Sequence, residues 1–368
     1  MTESLPASPP TEAFRSPSRK EVLVNAVASV TVRSLAHLPD AVKRALLRGR
    51  TVAVDGNTLD TTLQLMLAGQ KLIGFDGLSG PGDVAASRAQ LEELSSGFLR
   101  NIPVAGVTNL WVDGANGPIP ARHYRSAVAG APLLVFFHGG GFVIGDLDIY
   151  DDVCRLICRD GEMNVLSVDY RLAPEHKAPA ASDDGFAAYR WALDHAAELG
   201  ADPDRVAVGG DSAGGNIAAV VTQRARNERV RLPVVQLLMY PWTDLSEERR
   251  SRTLFADGYF LTKADLAWFA DHYLADAPVS ATDPRVSPLL ADDLSGLSPA
   301  LVLTAGFDPL RDEGNQYAEA LRAAGVPVDL RQFGSLIHAF ANMFPVGGDS
   351  AAAVAEMISA LRAHLARG

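Results

Sequence analysis

One stretch of this chain holds the residue types of nucleophilic chemistry. Residues 208–215 read Val-Gly-Gly-Asp-Ser-Ala-Gly-Gly and contain Gly-x-Ser-x-Gly centred on Ser212. A serine so flanked can sit on a sharp strand-to-helix turn with its hydroxyl presented to a substrate. Gly210 and Gly214 then occupy places where a Cβ would strike neighbouring chain. With 32 glycines present, the pattern alone is weak. Its setting strengthens it: a β-rich run at 205–208 precedes it and a helical run at 214–226 follows. The competing reading is an ordinary glycine-rich β–α loop. A dinucleotide or P-loop reading fails, because no Gly-x-Gly-x-x-Gly opens a helix and no Gly-Lys-Ser/Thr follows.

A second stretch, Phe-His-Gly-Gly-Gly-Phe at 137–142, comes directly after the apolar run 133–137. Consecutive glycines let backbone N–H groups face a bound carbonyl unobstructed. Donors of this kind stabilise the oxyanion of a tetrahedral intermediate, each worth about 3–4 kcal/mol. Gly140 and Gly141 are the expected donors, with the N–H of Ala213 as a third. A flexible glycine loop is the plain alternative.

A serine needs a base, and the base needs an orienting acid. In chain order Ser, Asp/Glu, His, three histidines follow Ser212: His272, His338 and His364. His364 falls in the closing helix and His272 in a helical insertion, where solvated or packed roles fit. His338, in the loop after the last expected strand, is the candidate base. Asp308 lies just past the end of an expected strand, at the active edge of a parallel sheet, and is the candidate acid. Asp312 and Glu313 follow within a turn and read as first-turn carboxylates facing a helix dipole.

These residues need a frame that holds them together. The chain has 368 residues, 48% of them hydrophobic and 21% charged, which suits a folded globular protein. At this length it is two domains, or one large α/β unit with additions. Before residue 100 the chain reads as helical: 21–37, 41–47, 58–73 and 85–98 carry apolar residues at helical spacing, separated by Pro39, Gly56 and the 77–82 stretch. After it come strands at 107–112, 121–124 and 133–137. Strands and helices then alternate: strands at 164–169, 205–208, 234–239, 300–304 and 327–332, helices at 180–195, 214–226, 315–324 and 351–366. That alternation predicts an α/β fold with a mostly parallel sheet covered on both faces. Residues 244–275 interrupt it with a charged patch at 247–252 and an aromatic-rich helix at 263–273, in the manner of a lid. Trp242, Phe255, Tyr259, Phe260, Trp268 and Phe269 either line this lid or pack in the core.

The net charge of −11 and the lack of a Lys/Arg stripe argue against nucleic-acid binding. Residues 1–20 lack a basic start with an apolar core and read as a mobile tail, not a secretion signal. No apolar run reaches the length of a membrane span. The expected location is the cytoplasm. Cys154 and Cys158 alone form no disulfide framework and read as buried, inert thiols of one helix. Lys43, Arg44, Arg48 and Arg50 form a solvated helix face or a weak contact with anionic lipid. The oligomeric state is open, a homodimer included.

The motifs together resemble the bacterial hormone-sensitive-lipase-like esterases of the α/β-hydrolase fold. The matching text is His-Gly-Gly-Gly-Phe at 138–142, Asp-Tyr-Arg-Leu-Ala-Pro-Glu-His at 169–176 and Gly-Asp-Ser-Ala-Gly-Gly at 210–215. Asp-Pro-Leu-Arg-Asp-Glu-Gly at 308–314 and Ile-His-Ala-Phe at 337–340 complete it. The likeness runs from about residue 107 to the end and is nearest to actinobacterial, mycobacterial-type members. It implies an eight-stranded mostly parallel sheet flanked by helices at 101–368. It also implies a helical cap from residues 21–100 and an insertion at about 244–285. The implied activity is hydrolysis of short- to medium-chain carboxylic esters through an acyl-enzyme, with no metal or cofactor. Ser212, Asp308 and His338 fall on the triad positions; Gly140, Gly141 and Ala213 fall on the oxyanion hole. Two features near His338 depart from the pattern, Ala339 where Gly is frequent and Gly334-Ser335-Leu336 before it; the N-terminal stretch is also longer than usual. The 169–176 motif is implied to be a structural loop; Asp211 either orients the elbow or packs near it and is not the triad acid. Amidase, peptidase or acyltransferase chemistry could use the same triad, and a receptor on an inactive scaffold is a more distant alternative.

Overall fold

The computed structural model describes residues 37–366 apart from 73, 75–76, 80–82 and 97–99. The tail expected at 1–20 and all but the last residue of the helix expected over 21–37 lie outside the described residues. The continuous apolar runs become strands with every residue buried: β5 (Ala131–Phe137), β6 (Asn164–Val168), β8 (Gln236–Met239) and β9 (Ala300–Phe307). Strands without a polar face must be covered on both sides. The cover comes from α4 (Asp151–Gly161), α5 (Ala180–His195), α6 (Ala213–Asn227), α9 (Arg311–Ala323) and α10 (Gly348–Leu365). With β3 (Gly106–Gly114), β4 (Gly117–Arg125), β7 (Ala201–Asp211) and β10 (Val328–Ile337), the strands form one eight-stranded sheet. Its order is β10-β9-β8-β7-β5-β6-β4-β3. Only the β3–β4 and β4–β6 pairings are antiparallel. This is the sheet the alternation of runs predicts.

Several strands run further than their apolar cores suggest, and three of them do so toward the edge that carries the site. β7 continues to Asp211, β9 to Phe307 and β10 to Ile337, with Asp211 paired to Met239 and Ile337 to Phe307. In β7 the extra residues Gly209, Gly210 and Asp211 are carried by the ladder, whereas β9 and β10 also bury Phe307 and Ile337. Ser212, Asp308 and His338 each follow directly on the last residue of a strand, as does His138 after β5.

The region before residue 100 is less purely helical than expected. It contains α1 (Asp40–Leu46), α2 (Thr61–Leu72), α3 (Val84–Ser96) and a small hairpin of β1 (Ala53–Val54) and β2 (Asn57–Thr58). Gly56, expected only to separate helices, forms the hairpin turn with Asp55. Both have positive φ, 53° for Asp55 and 76° for Gly56, as a two-residue hairpin turn demands. Lys43 does not belong to an exposed basic face: it is buried, with its Nζ 2.9 Å from Thr62 Oγ1.

The interruption between β8 and β9 holds α7 (Arg250–Leu254) and α8 (Lys263–Leu274). Two arginines of its charged patch turn inward, while Glu247, Glu248 and Arg250 stay exposed. Arg249 pairs with the buried Asp244 at 2.6 Å, and Arg252 with the buried Glu313 at 2.6 Å. Glu313 also accepts the N–H groups of Thr243 and Asp244, so it is a buried tie to the insertion and more than a first-turn carboxylate.

α8 starts with a capping box: Thr262 Oγ1 accepts the N–H of Asp265, and Asp265 Oδ2 accepts that of Thr262. The other oxygen of Asp265 accepts Ser79 N–H at 2.7 Å and Ser79 Oγ–H at 2.5 Å. One buried carboxylate therefore caps a helix and fastens the N-terminal region to the insertion. Replacing it orphans several buried donors together. Asp265→Ala is expected to lower unfolding stability by about 2–3 kcal/mol, measured by urea denaturation, with the sheet's circular dichroism unchanged.

Candidate active site

The site is built where the strands end. Ser212 caps α6 with φ 54° and ψ −116°, a conformation that L-residues rarely adopt. Hydrogen bonds hold it on both sides: its N–H donates to Met239 O at 2.9 Å, and its carbonyl accepts from Trp242 N–H at 3.2 Å. The flanking glycines let this turn sit directly against the end of β5. A Cβ on Gly210 would lie 2.4 Å from Phe137 O, and one on Gly214 only 1.9 Å from it. Neither position has room for another side chain.

His338 Nε2 lies 3.0 Å from Ser212 Oγ, and its Nδ1 lies 2.8 Å from Asp308 Oδ2. The three residues are brought together from separate strand ends, and all three are buried. Asp308 Oδ1 accepts Leu310 N–H at 2.8 Å, which leaves Oδ2 for the imidazole. A carboxylate facing Nδ1 favours the tautomer with the proton there, so that Nε2 is free to accept from the serine hydroxyl. Tyr240 packs its ring edge-on against His338, with centroids 4.8 Å apart, and restricts its tilt.

The competing residues lie elsewhere. His272 Nδ1 faces Trp268 O at 2.9 Å within α8, and its ring packs on that tryptophan. His364 Nε2 faces Asp329 at 3.6 Å. Asp312 accepts from Ser251 N–H and Glu313 from the insertion, so neither carboxylate turns to His338.

The glycine loop takes the shape its composition invites. Gly140 has φ 108° and Gly141 φ 60°. A Cβ on Gly140 would meet Ile144 O at 2.0 Å, and one on Gly141 would meet the Phe269 ring at 2.3 Å. The carbonyl of Gly140 is turned away from the serine and accepts from Val143 and Ile144. Among the described residues, no protein acceptor takes the N–H groups of Gly140, Gly141 or Ala213. Ala213 is also the first residue of α6, where the helix dipole favours negative charge.

His138 anchors this loop. It is fully buried, stacks on Tyr170 with ring centroids 4.3 Å apart, and its carbonyl accepts from the Tyr170 hydroxyl at 2.7 Å. Burial pushes its pKa down to about 4, so it is neutral at physiological pH. The 169–176 motif thus supports the loop from below. Arg171 in the same motif pairs with buried Asp184 at 2.7 Å, and His176 is exposed. Arg88 of α3 adds a further support that its sequence neighbourhood does not mark. Its guanidinium donates to Val143 O, to Ala173 O and to both oxygens of Glu175. An arginine in an amphipathic helix carries no local mark of such a role.

Of the aromatic residues, Trp242, Phe255 and Phe269 are buried. Phe269 roofs the glycine loop, whereas Phe255 packs with Tyr259 and Phe307. Cys154 and Cys158 are buried, and burial raises both thiols. Among the described residues, no group of three or more His, Cys, Asp or Glu side chains could hold a metal ion. None of the helices described is long and apolar enough to cross a membrane.

Comparison with known proteins agrees with the geometry. A family model for the α/β-hydrolase fold matches residues 134–342. The chain is 56% identical over 347 residues to carboxylic ester hydrolase LipN of Mycobacterium tuberculosis, spanning 93% of this chain and 92% of that one. Coverage so wide takes in most of the first hundred residues. The ethyl acetate hydrolase of Pseudomonas putida is 40% identical over 253 residues, spanning 67% of this chain and 79% of that one. Among solved structures, the hyperthermophilic esterase of Pyrobaculum calidifontis matches with a TM-score of 0.79 at 38% identity, over 83% of this chain and 98% of that one. With five ordered motifs, an eight-stranded sheet and this similarity in agreement, the chain belongs to the hormone-sensitive-lipase-like esterase family of the α/β-hydrolase fold.

Proposed function

We propose that the chain is a serine carboxylesterase working through Ser212, His338 and Asp308. The observation that carries this is the continuous path from Ser212 Oγ through His338 to Asp308, 3.0 Å and 2.8 Å long. Ser212 attacks the ester carbonyl while Nε2 of His338 takes its proton. Asp308 holds the imidazole and stabilises its charged form. Oxygen charge in the tetrahedral intermediate falls to the N–H groups of Gly140, Gly141 and Ala213, assisted by the α6 N-terminus. His338 then returns the proton to the departing alkoxide. Water repeats the cycle on the acyl-enzyme, again with His338 as base. No step needs a metal or cofactor.

In this reading the insertion at about 244–285 and the helices before residue 100 form the cap. Phe269 brings an aromatic ring down to the glycine loop, which suits a compact acyl group. The name of the Pseudomonas putida relative, an ethyl acetate hydrolase, points the same way. The substrate is thus a small ester of short to medium acyl length. We place the enzyme in the cytoplasm on its acidic composition and its two buried free thiols. Val42 and Leu46 are exposed beside Arg44, a composition suited to weak contact with anionic lipid.

Ser212→Ala is expected to lower kcat on p-nitrophenyl esters by about 10⁴-fold or more, with native circular dichroism and melting. A fluorophosphonate probe should label the native chain and not this variant. Activity near native in Ser212→Ala would overturn the assignment.

Across p-nitrophenyl esters of rising acyl length, kcat/KM should be highest for short and medium chains and fall for long ones. Matched anilides should be cleaved far more slowly. Equal rates on ester and anilide would point to an amidase.

A further inference from the structure

The aspartate of the nucleophile motif lies outside the proton path, yet it is buried and hydrogen-bonded on both carboxylate oxygens. Asp211 is the last residue of β7 and is 1% exposed. Its carboxylate gathers donors from three other segments of the chain. Oδ1 accepts the N–H of Gly139 at 2.7 Å. Oδ2 accepts the Tyr150 hydroxyl at 3.3 Å and Asn342 Nδ2–H at 3.4 Å. Gly139 is the first glycine of the loop that carries Gly140 and Gly141. Asn342 lies four residues beyond His338. Tyr150 immediately precedes α4 and also packs on His138, with ring centroids 5.4 Å apart.

The fit leaves no slack. A Cβ on Gly139 would stand 2.6 Å from Asp211 Oδ2 and 2.8 Å from Tyr150 Oη. The loop can approach the carboxylate this closely only because residue 139 has no side chain. Burial pushes the carboxyl up to about 7, against the attraction of His338 and the donation from Gly139. A carboxyl held in so unfavourable a place, with an N–H of the glycine loop on it, has a use that an apolar residue could not supply.

We propose that Asp211 is a positioning residue of the reaction: by accepting from Gly139 N–H it sets the orientation of the Gly140 and Gly141 donors relative to Ser212. This rests on the esterase reading above. Asp211 touches neither substrate nor proton path. It acts through the peptide unit that precedes the donors, and its bonds to Asn342 and Tyr150 tie that peptide to the segment beyond His338 and to the start of α4. A glycine run has no side chains to fix its own conformation, so an outside acceptor must do so. Because the oxyanion exists only in the tetrahedral state, misaligned donors should cost kcat and spare substrate binding.

The test compares Asp211→Ala, which removes the acceptor, with Asp211→Asn, which keeps a carbonyl oxygen for Gly139 N–H. Kinetics on a p-nitrophenyl ester and rates of fluorophosphonate labelling are measured on folded protein. Asp211→Ala should lower kcat by about 10- to 100-fold with KM within about threefold, and slow labelling by a similar factor. Asp211→Asn should recover most of that loss. Unchanged kcat in Asp211→Ala, a loss confined to KM, or equal impairment in Asp211→Asn would overturn the proposal. Should Asp211→Ala fail to fold, Gly139→Ala decides, because its Cβ separates the loop from an intact Asp211. A kcat loss at constant KM supports the assignment, and native kcat overturns it. Absence of labelling at Ser212 in the native chain would instead bring down the esterase reading itself.

Discussion

The active geometry depends on how closely two pieces of backbone approach each other. The carbonyl of Phe137, at the end of β5, sits where a Cβ of Gly210 or Gly214 would otherwise be. That contact places the glycine loop against the elbow, as the proposed oxyanion role of Gly140, Gly141 and Ala213 requires. Neighbouring parallel strands supply the approach, because β5 and β7 pair up to Phe137 and Gly210. The glycines of both motifs answer the same constraint from its two sides. The positive φ of Ser212 is its cost, and the ladder and α6 around it hold that strained residue in place.

Around this contact lie buried carboxylates with separate tasks. Asp308 faces the imidazole, Asp211 the glycine loop, Glu313 and Asp244 the arginines of the insertion, and Asp265 the cap of α8. None is left without donors, as burial of charge requires. Their partners come mostly from distant parts of the chain. Asp265 meets Ser79, and Glu313 meets Arg252. Such pairs add little stability over an apolar replacement of equal shape, but each one is costly to break singly. They fix which loops meet at the site more than they strengthen the fold.

The residues of the proposed site are legible in the sequence because short-range patterns mark them. Ser212, the glycine loop, Asp308 and His338 each sit within a few residues of a strand end, where periodicity and glycine placement mark them. Strand cores at 133–137 and 234–239 are legible for the same reason, as nearly continuous apolar runs. Strand ends are not: the last residues of β7, β9 and β10 are held by neighbours in the ladder, which one run of residues does not encode. The Asp55–Gly56 hairpin was read as a gap because two residues per strand give no alternation to detect. The inward turn of Glu313 and Lys43 was equally invisible, since each depends on a partner 19 or more residues away. Arg88 is the strongest case, an ordinary helical arginine until the fold brings Val143 and Glu175 to it.

Arg88 also shows how the N-terminal region takes part in the site. Its bidentate pair with Glu175 is partly exposed and, taken alone, contributes little in water. Its bonds to the carbonyls of Val143 and Ala173 are different, because those carbonyls belong to the glycine loop's own turn and to the motif beneath it. Gly140 O accepts from Val143 and Ile144, so a tether on Val143 acts on the same turn that exposes the Gly140 and Gly141 N–H groups. α3 therefore holds the glycine loop from the outer side while Asp211 holds it from the inner side. A loop of three glycines between two such anchors has little freedom left. Preorganised donors stabilise developing charge without first having to find their orientation.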